Sequence, residues 1–496
     1  MYKQETKYDL LAALSKTAKY IYTTLFSRVI NYLRFAFNFK PIIVFFYTTI
    51  ITAILFASTG CSYNPVDTSG RNKPVKEAPS QWSAQESPYN EISFQQSLLT
   101  LFNDQTINAL VEEALVANAD INALLYRLKA AAQLVKIEAA NQLPQISLDF
   151  RGTRTKDSDF YSNNFQLDAN ISWEIDLWNK LGDEEQAASL DYIAQQNEFQ
   201  NARNSLVARV IRSWIALSSI QIRLKIEHER LASVVDTETI IIENYKSGLS
   251  NLEDLSAARV TAEQTKADIV ALEEQSLSAK RVLEILMGRT PRAELNYANK
   301  FPDIRAPHLR LPVSVLSNRP DIKSAFSQLQ ALDLRTRAAY KALLPSFNLS
   351  TQINKSNNKL SDLFSSNTIW SLIGGITQPI FQGGRIRADA KAKSHEAEAA
   401  WWSYKQLVFL AIQEVENTIS REESLQKQQK HLQLALEQAE INYKNFQQRY
   451  ANGLAGILDL LITQQQALNI KALLVEAQTN RLDNRIVLGL ALGMGI

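Results

Sequence analysis

The residue types that carry chemistry are few and scattered. The 496-residue chain has one cysteine, Cys61, and four histidines: His228, His308, His395 and His431. Together they make no metal cluster, and no Cys/His catalytic pairing is evident. Acidic residues are numerous but spread along helical faces, and nothing in their placement points to paired-carboxylate catalysis. A lone cysteine also forms no internal disulfide. The expectation is a protein with no catalytic residues, no metal and no bound cofactor. Modification of the Cys61 sulfur is the one reaction the sequence suggests.

Cys61 stands out because of what precedes it. Residues 1–60 carry a net charge of +5, and residues 41–57, PIIVFFYTTIITAILFA, are uncharged and mostly apolar. SerThrGly then leads into the cysteine. A basic region, an apolar run and small residues form an export signal. Small residues before a cysteine also resemble the bacterial lipoprotein signal, in which the cysteine becomes the lipidated first residue. Ser58 stands where that signal usually has leucine, and a retained membrane anchor is the competing reading. Ser62 is not the aspartate that usually holds lipoproteins in the inner membrane, which favours the outer membrane. Residues 61–90, with Pro65, Pro74, Pro79 and Pro88, read as an extended tether. The whole chain has a formal charge of +2, so the part after residue 60 carries −3 and nothing basic suggests nucleic acid.

Beyond the tether the sequence is written twice. Asp120-Ile121 and Leu143-Pro144 recur as Asp321-Ile322 and Leu344-Pro345, both at an offset of 201. Tyr245-x-x-Gly248-Leu249 and Asp254-Leu255 recur as Tyr450-x-x-Gly453-Leu454 and Asp459-Leu460, at an offset of 205. Two copies are thus expected, over 91–300 and 301–496. No proline lies within 145–290 or after Pro379, and glycine is missing from 183–247 and 385–452. Both residues weaken helix interiors, so each gap predicts one very long helix. Apolar residues spaced three and four apart, such as Leu206, Val210, Leu217, Leu224, Val234 and Ile241, support this. Each helix stops at the Tyr-x-x-Gly-Leu turn, and a returning helix follows over 252–287 or 457–491.

Strands precede each long helix. From Phe165 to Ile175 every odd position is apolar or small, and every even position from Gln166 to Asp176 is polar. Strands are predicted at about 145–155, 164–176, 345–355 and 368–380, with polar loops at 156–163 and 356–366. Four strands cannot bury themselves, and an open sheet leaves exposed edges. Their length suits a membrane crossing, with Trp173 and Trp370 as interfacial aromatics. Closing the sheet requires further copies of the chain: two give eight strands, three give twelve. The fold class is mainly α with a membrane β-barrel, built from a duplicated strand-strand-long helix-helix unit.

TrpGluIleAspLeuTrp at 173–178, AsnArgProAspIle at 318–322 and ProIlePheGlnGlyGlyArg at 379–385 resemble the TolC-like outer membrane factor family. The cysteine-ended signal is similar to that of its lipoprotein branch, found in tripartite efflux systems. The resemblance implies a homotrimer with a twelve-stranded barrel in the outer membrane and a long α-helical tunnel through the periplasm of a Gram-negative bacterium. It implies a passive exit duct that meets a periplasmic adaptor protein and an inner-membrane pump. It also implies a gate near Leu458, Asp459 and Ile462, and adaptor contact at Gly248, Leu249, Gly453 and Leu454. Many members carry an aspartate four residues after the constricting leucine; here that position is Ile462, so an apolar constriction is expected. A membrane-anchored coiled-coil scaffold explains the helices but not the four strands.

Overall fold

The computed structural model describes residues 97–101, 104–248, 251–295, 300–307 and 312–495, with Pro79 and Trp82. The chain divides into residues 1–65 and 66–496, and every described residue belongs to the second unit. The leader, Cys61, Leu249 and the tether (Pro79 and Trp82 apart) lie outside the described residues.

The first half runs α1 (Gln105–Ala117), α2 (Ala119–Ala140), β1 (Gln145–Asp157), β2 (Phe160–Ile175), α3 (Lys180–Lys246) and α4 (Leu252–Leu286). The second runs α5 (Pro312–Asn318), α6 (Pro320–Lys341), β3 (Ser346–Asn357), β4 (Ile369–Thr377), α7 (Arg385–Ala451) and α8 (Ile457–Ala491). α3 and α7 each have 67 residues, and α4 and α8 each have 35. At 1.5 Å per residue the long pair reaches about 100 Å.

Local chemistry sets the helix ends. Asp104 and Asn118 cap α1 and α2 by accepting from the Thr106 and Ile121 N–H groups. Asn118 also donates to the Leu286 carbonyl at 2.9 Å, tying the start of α2 to the end of α4. At the junction of β2 and α3, the two Asp176 carboxylate oxygens accept from Lys180 N–H at 2.7 Å and Gly182 N–H at 2.9 Å. These are the donors a helix start leaves without an intrahelical partner.

The sheet order is β1-β2-β3-β4, antiparallel throughout. The central pair β2–β3 joins the two halves, with Trp173 opposite Leu349. The rows Ile146–Ile171–Thr351–Leu372 and Leu148–Ala169–Ile353–Trp370 share one largely apolar face. Asp149, Asp168, Asn170, Gln352 and Asn354 share the other face, hydrogen-bonded to one another. The outer edges of β1 and β4 have no partner strand among the described residues.

The expected loop at 156–163 is corrected. β1 and β2 pair as far as Asp157–Phe160, leaving only Ser158 (φ +52°) and Asp159 as the turn. Thr153, Thr155, Phe160 and Tyr161 favour strand, and the surrounding polar residues concealed it. The second loop does exist, with a 3₁₀ turn at Leu360–Asp362. β4 stops at Thr377 rather than 380, because Pro379 has no N–H to donate.

The main core lies midway along the long helices. Leu206, Val210, Ile211, Trp214 and Leu217 of α3 pack with Ile107, Val111, Leu283, Val415, Ile419 and Ile486. Buried Glu284 holds the chain leaving α4 by accepting from the N–H groups of Arg292, Ala293 and Glu294 at 2.7–2.8 Å. Burial pushes its carboxyl up, but the three N–H donors outweigh this and hold it below the ordinary 4.5. A depressed carboxylate stabilises the fold above its unfolded-state value, and that contribution is lost as pH falls through the folded value. Thermal stability is therefore expected to drop as pH is lowered below about 4.5. Glu284→Gln should flatten that part of the melting-temperature profile; an unchanged profile would remove Glu284 from the account.

Candidate functional site

The candidate site is the end where each long helix turns back. α3 and α7 end through Gly248 (φ +72°) and Gly453 (φ +67°), a left-handed conformation that other residues adopt at a cost. Leu454 N–H closes the second turn on the Arg449 carbonyl at 2.8 Å. A Cβ added to either glycine would meet nothing within 4 Å, so both turns present open backbone. Leu454 is exposed, and Leu249 lies outside the described residues.

The two turns are packed into one tip. Ile241 of α3, Leu255 and Ala258 of α4, and Ile457 and Leu460 of α8 form a cluster flanked by Tyr443, Phe446 and Tyr450 of α7. Asn244 donates to the Tyr450 hydroxyl at 3.1 Å, joining α3 to α7. Burial pushes the Tyr450 hydroxyl up.

Leu458 and Ile462 point away from this cluster. They are 48% and 64% exposed, a full helical turn apart on α8, which makes them one apolar stripe rather than tip core. Asp459 does something else. Its carboxylate turns back to accept from Gly456 N–H at 3.4 Å, at the start of its own helix. Asn251 does the corresponding work on α4, accepting from Asp254 N–H at 2.8 Å. By the repeat offset, Leu458 and Ile462 correspond to Glu253 and Ala257, so only the second half carries the stripe.

Sequence reasoning missed the polar seam between α3 and α8. It consists of Arg212–Asp483 at 2.5 Å, Ser219–Thr479 at 2.8 Å, Glu229–Lys471 at 2.8 Å, Arg230–Asn469 at 3.0 Å and Ser233–Gln464. These partners are more than 200 residues apart, and only the antiparallel run of the two helices brings them together. No group of three His, Cys, Asp or Glu among the described residues could hold a metal ion. No described helix is long and apolar enough to cross a membrane, a statement that does not concern the sheet.

A two-faced sheet joined twice to long paired helices is the architecture of a trans-envelope channel subunit. The family model described as "Outer membrane efflux protein" matches residues 110–289 and 311–494. The chain belongs to this family. It is 25% identical over 452 residues to the cation efflux system protein CusC of Escherichia coli K12, covering 89% of this chain and 98% of that one. It is 24% identical over 454 residues to the solvent efflux pump outer membrane protein SrpC of Pseudomonas putida, covering 88% and 96%. Among solved structures, the Campylobacter jejuni CmeC outer membrane channel superposes with a TM-score of 0.78 at 21% identity, covering 86% of this chain and 94% of that one. A CusC crystal structure gives 0.74 at 25% identity, covering 84% and 100%. The protein is thus an efflux channel of the outer membrane.

The open turns yield a test. Gly453→Ala adds no clash but forces an L-residue into the left-handed region, at a cost of about 1 kcal/mol. Hydrogen exchange around 445–460 should accelerate roughly fivefold, the equivalent of that cost, while the waist around Trp214 is unchanged. Unchanged exchange at the tip would show that the turn does not depend on glycine.

Proposed function

We propose that three copies of the chain close a twelve-stranded barrel and continue it as an α-helical tunnel. The assembly is the exit duct of a tripartite efflux system, receiving substrates from an inner-membrane pump through a periplasmic adaptor. The observation that carries this reading is the sheet, with one largely apolar face, one hydrogen-bonded polar face and two edges without a partner strand among the described residues. In hydrocarbon an unpaired backbone group costs several kcal/mol, so such a sheet is stable only when closed. Exposed Tyr126, Leu134 and Ile137 on α2 supply apolar surface for a neighbouring copy to cover. The chain itself performs no chemistry: it opens and closes.

Cys61 is the proposed lipid-anchored first residue of the exported chain, with 61–90 as its tether. The gate is assigned to Leu458 and Ile462, which project from the tip as an apolar stripe. Three such stripes around an axis would exclude water and ions from a narrow mouth. Asp459 serves the gate by fixing the start of α8. The open backbone at Gly248 and Gly453, with Leu249 and Leu454, is the proposed adaptor contact.

Native mass spectrometry of the detergent-extracted protein tests the assembly. The expected mass is three chains, each starting at an acylated Cys61. A single chain, or one that keeps Met1, would overturn the corresponding part. For the gate, planar-bilayer conductance of Leu458→Ser/Ile462→Ser should rise roughly several-fold over wild type in the closed state. Equal conductance would leave the stripe without a gating role.

A further inference from the structure

The face that carries the apolar rows changes character at the β1–β2 hairpin tip. On β2 this face runs Ile175, Trp173, Ile171, Ala169, Leu167, Phe165. Ten residue steps at ~3.4 Å, tilted ~40°, span about 26 Å of height, close to the ~25 Å apolar band of an outer membrane barrel. The next two rows on the same face are Arg154 opposite Asn163 and Lys156 opposite Tyr161. They stand about 5–10 Å beyond the band, at headgroup level and on the side away from the helices.

Arg154 and Lys156 share one aromatic ring. The guanidinium lies 4.7 Å and the ammonium 5.7 Å from the Tyr161 ring centroid. Both side chains are exposed, and neither has a hydrogen bond or ion pair among the described residues. The neighbouring acids do not neutralise them. Asp157 lies in the row with Phe160, on the opposite face, and Asp159 is in the turn. Lys355 shares the outward face lower down, level with Leu167, and its ammonium is already held by the Phe364 carbonyl at 2.7 Å. Two cations on one ring repel each other, and an anion beside them relieves the repulsion. Immediately above a lipid-facing band, the anion at hand is a headgroup phosphate.

We infer that Arg154 and Lys156, stacked on Tyr161, bind the phosphate groups of an outer-leaflet glycolipid. Each protomer holds one such clasp, which fixes the barrel's depth and its annular lipid. The inference rests on the barrel reading above, with the apolar face toward lipid.

The test uses the full-length, detergent-extracted protein and its Arg154→Gln/Lys156→Gln variant. Each is incubated with bisphosphorylated lipid A or with the same lipid fully dephosphorylated, and bound lipid is read by native mass spectrometry. A basic side chain near an anionic membrane surface contributes about fivefold to binding, so the wild type should retain at least about fivefold more bisphosphorylated lipid than the variant. That excess should vanish with the dephosphorylated lipid, and inorganic phosphate should not displace the bound lipid. Equal retention by the variant, or of the dephosphorylated form, would overturn the inference. So would displacement by inorganic phosphate, which would define a free-anion site instead. A fluorophore at Leu148→Cys, probed with a lipid-phase quencher in vesicles, separates the two readings. Quenching with unchanged retention defeats this inference alone; no quenching defeats the barrel orientation and the clasp with it.

Discussion

A backbone group in hydrocarbon has no water to bond, and the architecture follows from that constraint. Among the described residues one chain supplies a sheet of four strands whose outer edges have no partner, so the proposed barrel exists only as an assembly. Where the wall leaves lipid, water can satisfy helix ends and surface carbonyls, and a strand is no longer required. The change is made within a few residues. Asp176 ends the β2 alternation and gives both carboxylate oxygens to the first turn of α3. Lys341 and Arg337 of α6 then reach Asp183 in that same turn, fastening the two halves just below the sheet.

The duplicated halves match in length but not in chemistry. Their long helices are equal, and their returning helices are equal, which keeps the two turns in one tip. The junctions differ. Both long helices start from a left-handed N-cap, Asn179 (φ +57°) and Gly384 (φ +83°), but α3 has the Asp176 carboxylate over its first turn where the second half has Phe381. The tips differ as well, since Leu458 and Ile462 stand where the first half has Glu253 and Ala257. A fully symmetric pair could not reserve the proposed gating stripe for one of its two turns.

Much of this was legible in the sequence because it is written in periods. The proline- and glycine-free gaps marked α3 and α7, and the two-residue alternation gave β2 its two faces. The hairpin at 156–163 was not legible, because beyond the apolar rows polar residues occupy both faces and the adjacent aromatics Phe160 and Tyr161 fall one on each, so the alternation carries no contrast. The partners of the α3–α8 seam were invisible for another reason: Arg212 and Asp483 meet only once the two halves are packed. At the tip, Leu458 and Ile462 could be named from their motif. The helix-capping role of Asp459 emerged only from the geometry of Gly456.

The seam and the waist divide the long helices mechanically. Around Trp214 the packing is apolar and buried, so displacing it would open a cavity. Between the waist and the apolar tip cluster, the links between α3 and α8 include hydrogen bonds and an ion pair at Ser219, Glu229, Arg230 and Ser233, which water can replace at small net cost. A bend centred on the waist would make the 32 residues from Trp214 to Lys246 a lever arm. That arm is about 48 Å long, so a tilt of only ~5° at the waist carries the tip about 4 Å sideways.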